Sequence, residues 1–204
     1  MQDGEIIIKN SLLKDSAVGD IQFRLPNSQD GLALQQLIAR CPPLDTNSTY
    51  CNLLQCHHFF DTCALAERDG KLLGFVSGYR LPSDHSVLFV WQLAVSPEAR
   101  GEGLAIRLLQ QQLSSAVQPP VRYLHTTINP DNKASWAVFE RLAQHLDVES
   151  TRSLLFTRDS HFDGEHDDEV LLSIGPMPNL LAQNLAAMNN LGRVTASSEL
   201  VDGE

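Results

Sequence analysis

The chain has no stretch approaching the ~18 consecutive apolar residues of a membrane span. Its first residues carry no basic segment followed by an apolar signal core, so the expected location is cytoplasmic. Positive charge is also scarce. Lys and Arg total 15 against 25 Asp and Glu, a formal net charge of -10 with a pI near 5.0. That balance argues against nonspecific binding to nucleic acid or to anionic membranes and is compatible with a cationic substrate. Paired-cysteine spacing is missing too. Cys41, Cys51, Cys56 and Cys63 crowd one region beside His57 and His58, but without a C-x-x-C pair or a familiar ligand spacing. The expectation is no metal, and reduced, partly buried thiols in and after a helix.

What remains is a 204-residue chain that is 43% hydrophobic, enough for one domain with a full core. The most informative stretch is Arg100-Gly101-Glu102-Gly103-Leu104-Ala105. The run before it, residues 85–95 (HSVLFVWQLAV), reads as a buried strand rich in β-branched and aromatic residues. After it, Leu104, Leu108, Leu109, Leu113 and Val117 fall at helical spacing. A strand, a glycine turn and a helix start make an anion site, because the first helical N–H groups lack internal partners and the macrodipole is positive there. Gly101 and Gly103 let a pyrophosphate approach the backbone closely. The pattern is neither G-x-x-x-x-G-K-[ST] nor G-x-G-x-x-G with an acidic ribose ligand.

The rest of the chain orders as β-α-α-β-β-β-α-β-α-β-β, an α+β class (mixed α/β) sheet. Residues 21–25 begin a strand, and Pro26-Asn27-Ser28 starts a helix that runs to about Arg40 and is broken by Cys41-Pro42-Pro43. A short helix follows over 48–57. Residues 62–68, the Asp69-Gly70 turn and 71–80 read as a hairpin. The strand 85–95 and the helix 101–117 lead to a strand over 121–128, then a helix over about 132–144. Two strands near 152–158 and 168–174 flank a polar loop, His161 to Asp167. Residues 1–20 read as an N-terminal extension, 21–174 as the domain, and 175–204 as a tail that is partly disordered at its polar end.

Arg-x-x-Gly-x-Gly/Ala after a strand resembles the acetyl-CoA loop of the GCN5-related N-acetyltransferase (GNAT) superfamily, and the element order matches that fold. The resemblance implies a central, mostly antiparallel sheet flanked by helices, whose splayed fourth and fifth strands admit the pantetheine arm of acetyl-CoA. Four passages, PPLDTNSTYCNLLQCHHF at 42–59, FVWQLAVSPEARGEGLA at 89–105, LHTTINPDNKASWAVF at 124–139 and GEHDDEVLL at 164–172, resemble one family closely: the L-2,4-diaminobutyrate acetyltransferases of ectoine biosynthesis. This resemblance implies acetyl transfer from acetyl-CoA to the side-chain amine of diaminobutyrate, a homodimer, and a role in making a compatible solute under osmotic stress.

The chemistry sets requirements for these residues. Only a neutral amine attacks a thioester, yet a side-chain ammonium resembles lysine with a pKa of ~10.4. The site must desolvate the amine or take its proton, stabilise an oxyanion and release a thiolate. The family strand carries a β-bulge near Leu93, Ala94 and Val95, making their N–H groups the expected oxyanion donors. Asp45 and Glu169 are the first candidates to hold or deprotonate the amines. The alternatives are a turn or capping role for Asp45 and a solvated carboxylate for Glu169 in the run Asp167-Asp168-Glu169. His166 is a candidate proton relay, Trp91 a pocket wall offering its face to an ammonium, and Tyr50 a hydroxyl closing the pocket, each against an ordinary packing or surface role. Asn132 either caps its helix or contacts the pantetheine arm, or does both.

Many superfamily members protonate the departing thiolate with a tyrosine seven residues beyond the position of Asn132, where this chain has Phe139. Either another group or water protonates the sulfur, or the thiolate leaves unassisted, since thiols have a pKa of ~8.5. Two other readings accompany the leading one: a GNAT enzyme acting on another small cationic amine, and a noncatalytic CoA-binding dimer.

Overall fold

The structure, a computed structural model, describes residues 20–115 and 119–178. The expectations for residues 1–19, for Val117 and for the chain beyond 178 lie outside the described residues. The elements are β1 (Gln22–Arg24), α1 (Gly31–Ala39), α2 (Thr49–His57), β2 (Ala64–Arg68), β3 (Lys71–Leu81), β4 (Asp84–Val95), α3 (Leu104–Ser115), β5 (Tyr123–Ile128), α4 (Lys133–Leu146), β6 (Ser150–Phe156), α5 (Arg158–Phe162) and β7 (Glu169–Ile174). The seven strands form one sheet in the order β1-β2-β3-β4-β5-β7-β6. Every pairing is antiparallel except β4 with β5, so the sheet has the expected mixed character.

Alternation along the strands sends side chains to two cores. Leu65, Phe75 and Ala94 join Leu34, Leu37 and Ile38 of α1, while Ala64, Ala66, Leu88 and Val90 join Leu104, Leu108, Leu109 and Leu113 of α3. The i, i+3, i+4 spacing of Leu34, Leu37 and Ile38 leaves all three fully buried. Asn27 and Asp30 reciprocate side-chain bonds at the first helical turn, and Ser48 caps α2 by accepting from Cys51 N at 3.1 Å. All four cysteines are free. Cys41, Cys56 and Cys63 are buried against α1, α2 and the sheet.

The sequence boundaries shift in two places that bear on the site. The third helix begins at Leu104 rather than 101, since Gly101 (φ +85°) and Gly103 (φ +71°) adopt left-handed conformations that a right-handed helix excludes. The segment read as a polar loop over 161–167 is partly helical. Thr157 caps α5, and Asp163 and Gly164 end it with positive φ.

The parallel pair is short, and that shortness creates the site. β4 and β5 are in register only from Val87–Tyr123 to Phe89–His125. The Thr126 hydroxyl reaches the Val90 carbonyl at 3.1 Å, and beyond that point the strands part. Between Gln92 and Val90, β4 carries one extra residue relative to β3, so the bulge falls at Trp91, upstream of the Leu93–Val95 segment expected from sequence. The extra residue puts Trp91 and Gln92 on the same face of the sheet and reverses the alternation beyond.

Candidate active site

Where β4 and β5 part, two adjoining cavities open. One, of about 830 Å³, is lined by residues from β4, β5, the start of α4, the connection between α1 and α2, and the segment leading into β7. The other, of about 510 Å³, runs from the glycine loop past Leu93 to α4. They share Pro43, Leu44, Leu93, Asn132, Ala134 and Ser135, so a linear molecule can lie with one end at the loop and the other in the cleft.

The loop end is built for an anion. Arg100, Gly101, Gly103, Leu104 and Ala105 line it, and an added Cβ at either glycine would meet nothing within 4 Å. The glycines therefore supply a left-handed backbone over open space, with the first N–H groups of the twelve-residue α3 beside them. Glu102 turns away, its carboxylate held by Arg68 at 2.6 Å. Asn132 acts as the cap of α4, accepting from Ser135 N at 3.1 Å, and it also lines both cavities.

Alternation on β4 decides which peptide groups face the gap. Ser96 N–H bonds to Leu73 O on β3 at 2.8 Å, so Ala94, two residues back, also turns its peptide toward β3. Leu93 and Val95 turn theirs to the open side. The Val95 carbonyl there accepts the Cys41 thiol at 3.3 Å. Of the three expected donors, Leu93 and Val95 face the gap. Ala94 is buried in the α1-side core, and its N–H serves the sheet.

The cleft is acidic. Asp45, Asp131, Glu165, Asp167 and Glu169 line it against the one basic side chain Lys133, with His166 among them. Glu169 starts β7, and its Oε1 accepts from Asn129 Nδ2 at 3.3 Å. Asn129 is in turn anchored through its carbonyl, which accepts from Trp136 Nε1 at 3.1 Å. The His166 ring lies 4.7 Å from that of Phe162, centroid to centroid, and its Nδ1 donates to the Asp167 carbonyl at 2.8 Å. A carbonyl only accepts, so Nδ1 carries a proton and Nε2 is left to the cleft. Arg158 ties this segment down, its N–H bonding to Asp168 at 2.6 Å and its guanidinium to Asp167 at 3.3 Å. Trp91, 47% exposed, forms a wall of the cleft and stands edge-on to Tyr79 with centroids 6.3 Å apart. Buried Phe139 closes the cleft floor.

The structure thus brings Asp45, Trp91, Leu93, Asn132, His166 and Glu169 to one cleft, and Arg100 to Ala105, except Glu102, to its neighbour. It does not bring Tyr50 there, which is 70% exposed on α2. Sequence reasoning missed Asn129, Asn47 and Gln92. Asn47 donates to Gln92 Oε1 at 3.2 Å, and Gln92 Nε2 donates to the Asp45 carbonyl at 2.7 Å. The signal that could have found them is their place inside the passages that carry the family resemblance, Asn47 and Gln92 beside Asp45 and Trp91, and Asn129 between the strand at 121–128 and Asn132.

Both sequence and fold set the chain beside known proteins. Residues 32–143 match the acetyltransferase (GNAT) family. The chain is 45% identical over 161 residues to the L-2,4-diaminobutyric acid acetyltransferase of Methylotuvimicrobium alcaliphilum, spanning 79% of this chain and 94% of that protein. It is 45% identical over 152 residues to that of Vibrio cholerae, spanning 74% and 88%. Among solved structures, diaminobutyrate acetyltransferase EctA from Paenibacillus lautus, in complex with its substrate L-2,4-diaminobutyric acid and coenzyme A, superposes with a TM-score of 0.72 at 35% identity over 78% of this chain and 96% of that one. The ribosomal-protein-S18-alanine N-acetyltransferase of Escherichia coli, at 14% identity and a TM-score of 0.62 over 78% of this chain and 96% of that one, shares the fold. By family match, by identity along nearly the whole of its relatives and by fold, the chain belongs to the GNAT acetyltransferases and, among them, to the L-2,4-diaminobutyric acid acetyltransferases.

Proposed function

We propose that this chain transfers acetyl from acetyl-CoA to the side-chain amine of L-2,4-diaminobutyrate, giving N4-acetyl-L-2,4-diaminobutyrate for ectoine biosynthesis. The observation that carries the reading is the pairing of an anion-binding loop with a cleft bearing five carboxylates and one lysine, joined at the gap between β4 and β5. In this mechanism the pyrophosphate of CoA sits at Arg100 to Ala105, and the pantetheine arm runs past Val95 and Asn132. The thioester oxygen then meets the Leu93 N–H. Asp45 and the Trp91 face hold the diamine, while Glu169 takes the proton from the attacking amine, with His166 Nε2 as relay. The neutral nitrogen attacks the acyl carbon, the oxyanion forms against Leu93 N–H, the second proton shed by the nitrogen passes to water in the open cleft, and collapse of the oxyanion breaks the C–S bond to release the thiolate. Phe139 cannot donate a proton, and a thiol pKa of ~8.5 lets the thiolate leave unassisted.

We further propose a cytoplasmic homodimer whose catalytic domain is residues 21–174. Among the described residues no helix is long and apolar enough to cross a membrane. β6 ends the sheet with all seven residues exposed, including Leu154, Leu155 and Phe156, a surface suited to a second copy.

The deciding assay is acetyl-CoA-dependent thiol release with diaminobutyrate, ornithine, lysine and spermidine side by side, with NMR of the product. Turnover favouring diaminobutyrate, acetylated on the side-chain nitrogen, is expected. Preference for another amine would retain the family chemistry and discard this acceptor. Silence across the panel with acetyl-CoA still bound would discard catalysis.

A further inference from the structure

We propose that Gln92 is a positioning residue that sets where Asp45 stands above the cleft, and through it which length of diamino acid is acetylated. This rests on the acetyltransferase reading above. Gln92 is 7% exposed, and the bulge at Trp91 turns its side chain to the same face as Trp91. Both ends of its amide are engaged: Nε2 donates to the Asp45 carbonyl at 2.7 Å, and Oε1 accepts from Asn47 Nδ2 at 3.2 Å. Among the described residues these are the side-chain hydrogen bonds that fasten residues 45–47 to the sheet. The Asp45 carboxylate itself enters no ion pair there.

Asn47 supports the same arrangement from the loop side. Its φ of +51° lies in the left-handed region, which asparagine tolerates better than most residues. The segment is thus turned so that one side-chain amide of β4 grips it at two points. Gln92 is also the residue immediately before Leu93, whose N–H faces the gap. A single stretch of strand therefore fixes both the carboxylate that holds one amine and the donor at the acyl group. The spacing between those two points selects the number of methylenes between the amines. The Gln92 amide offers, at this reach, both the donor and the acceptor that the grip needs. A carboxylate at the position keeps the bond from Asn47 but sets an oxygen against the Asp45 carbonyl.

The test compares Gln92→Leu, Gln92→Glu and Asn47→Gly with the unaltered full chain, varying diaminobutyrate, ornithine and acetyl-CoA in turn. Asn47→Gly retains a residue at ease with positive φ and removes only the amide, so it keeps the test informative should a buried Gln92 variant fail to fold. Loss of these bonds is expected to raise the diaminobutyrate KM about tenfold, with a smaller rise in Asn47→Gly. The acetyl-CoA KM should stay within about twofold, and the preference for diaminobutyrate over ornithine in kcat/KM should fall. An unchanged preference and diaminobutyrate KM in the folded variants, or an equal rise in both KM values, overturns the proposal while leaving the function intact. An unaltered chain that does not acetylate diaminobutyrate overturns the function and this inference with it.

Discussion

Asp45, His166 and Glu169 share one cleft but are held in different ways, and the difference fits the parts proposed for them. Asp45 is gripped through its backbone, leaving its carboxylate to the cleft. His166 is pinned by Asp167 O and Phe162, so its tautomer is set before a substrate arrives. Glu169 keeps one oxygen on Asn129 and stands at the first position of β7, where strand geometry aims it. Glu169→Gln keeps the size and the bond from Asn129 but cannot accept the proton. Its kcat should fall by about a hundredfold or more, with the acetyl-CoA KM unchanged, in steady-state assays. Wild-type turnover would remove Glu169 as the base. Charge alone did not separate the members of the acidic run at 167–169; the family resemblance singled out Glu169. In the structure the strand start and Asn129 distinguish Glu169 from Asp167, which pairs with Arg158, and from Asp168, which caps the Arg158 N–H.

At the scale of elements, the turn between β4 and α3 depends on backbone conformation more than on space. Gly101 and Gly103 have positive φ with nothing near the missing Cβ. Alanine there therefore meets no clash but disfavours the left-handed backbone by about 1–2 kcal/mol. If the loop relaxes to avoid that cost, the N–H groups no longer converge. Gly101→Ala should then weaken acetyl-CoA binding about 5- to 30-fold by calorimetry, with the amine KM moving less. This loop was legible in sequence because a strand, two glycines and a helix stripe lie consecutively. The bulge in β4 was misplaced because it exists only relative to β3, whose register no local pattern in β4 reports. α5 was missed because its five residues show no apolar periodicity, only caps at Thr157 and Asp163.

For the whole molecule, two layers on one sheet decide which groups meet solvent. Packing of α1 and α2 on the sheet buries Cys56 and Cys63, and burial pushes their thiols up to about 11 and about 12. Burial also raises Cys41. A raised thiol pKa means less thiolate at a given pH, so these three resist a thiol reagent at pH 8. Native protein should show one fast thiol, the half-buried Cys51, and four after unfolding. Rapid reaction of Cys56 or Cys63 in the folded chain would contradict this packing. The exposed edge at β6 has its own test. Leu154→Lys combined with Phe156→Lys should convert a dimer into a monomer by sedimentation, since two buried lysines oppose association; an unchanged dimer moves the interface elsewhere.

Local pattern alone determined the order of the elements other than α5, the helix faces and the glycine loop, because periodicity, caps and glycine turns act between residues a few positions apart. Resemblance of four passages then pointed to the family. Tertiary structure decided what depends on pairing between distant segments. It ended the β4–β5 ladder after three residue pairs, placed the bulge at Trp91, turned Leu93 rather than Ala94 toward the gap, and left Tyr50 outside it. It also joined Gln92 to Asp45 across 47 positions of chain. Strand register and side-chain contact are properties of two segments together, and neither segment carries them alone.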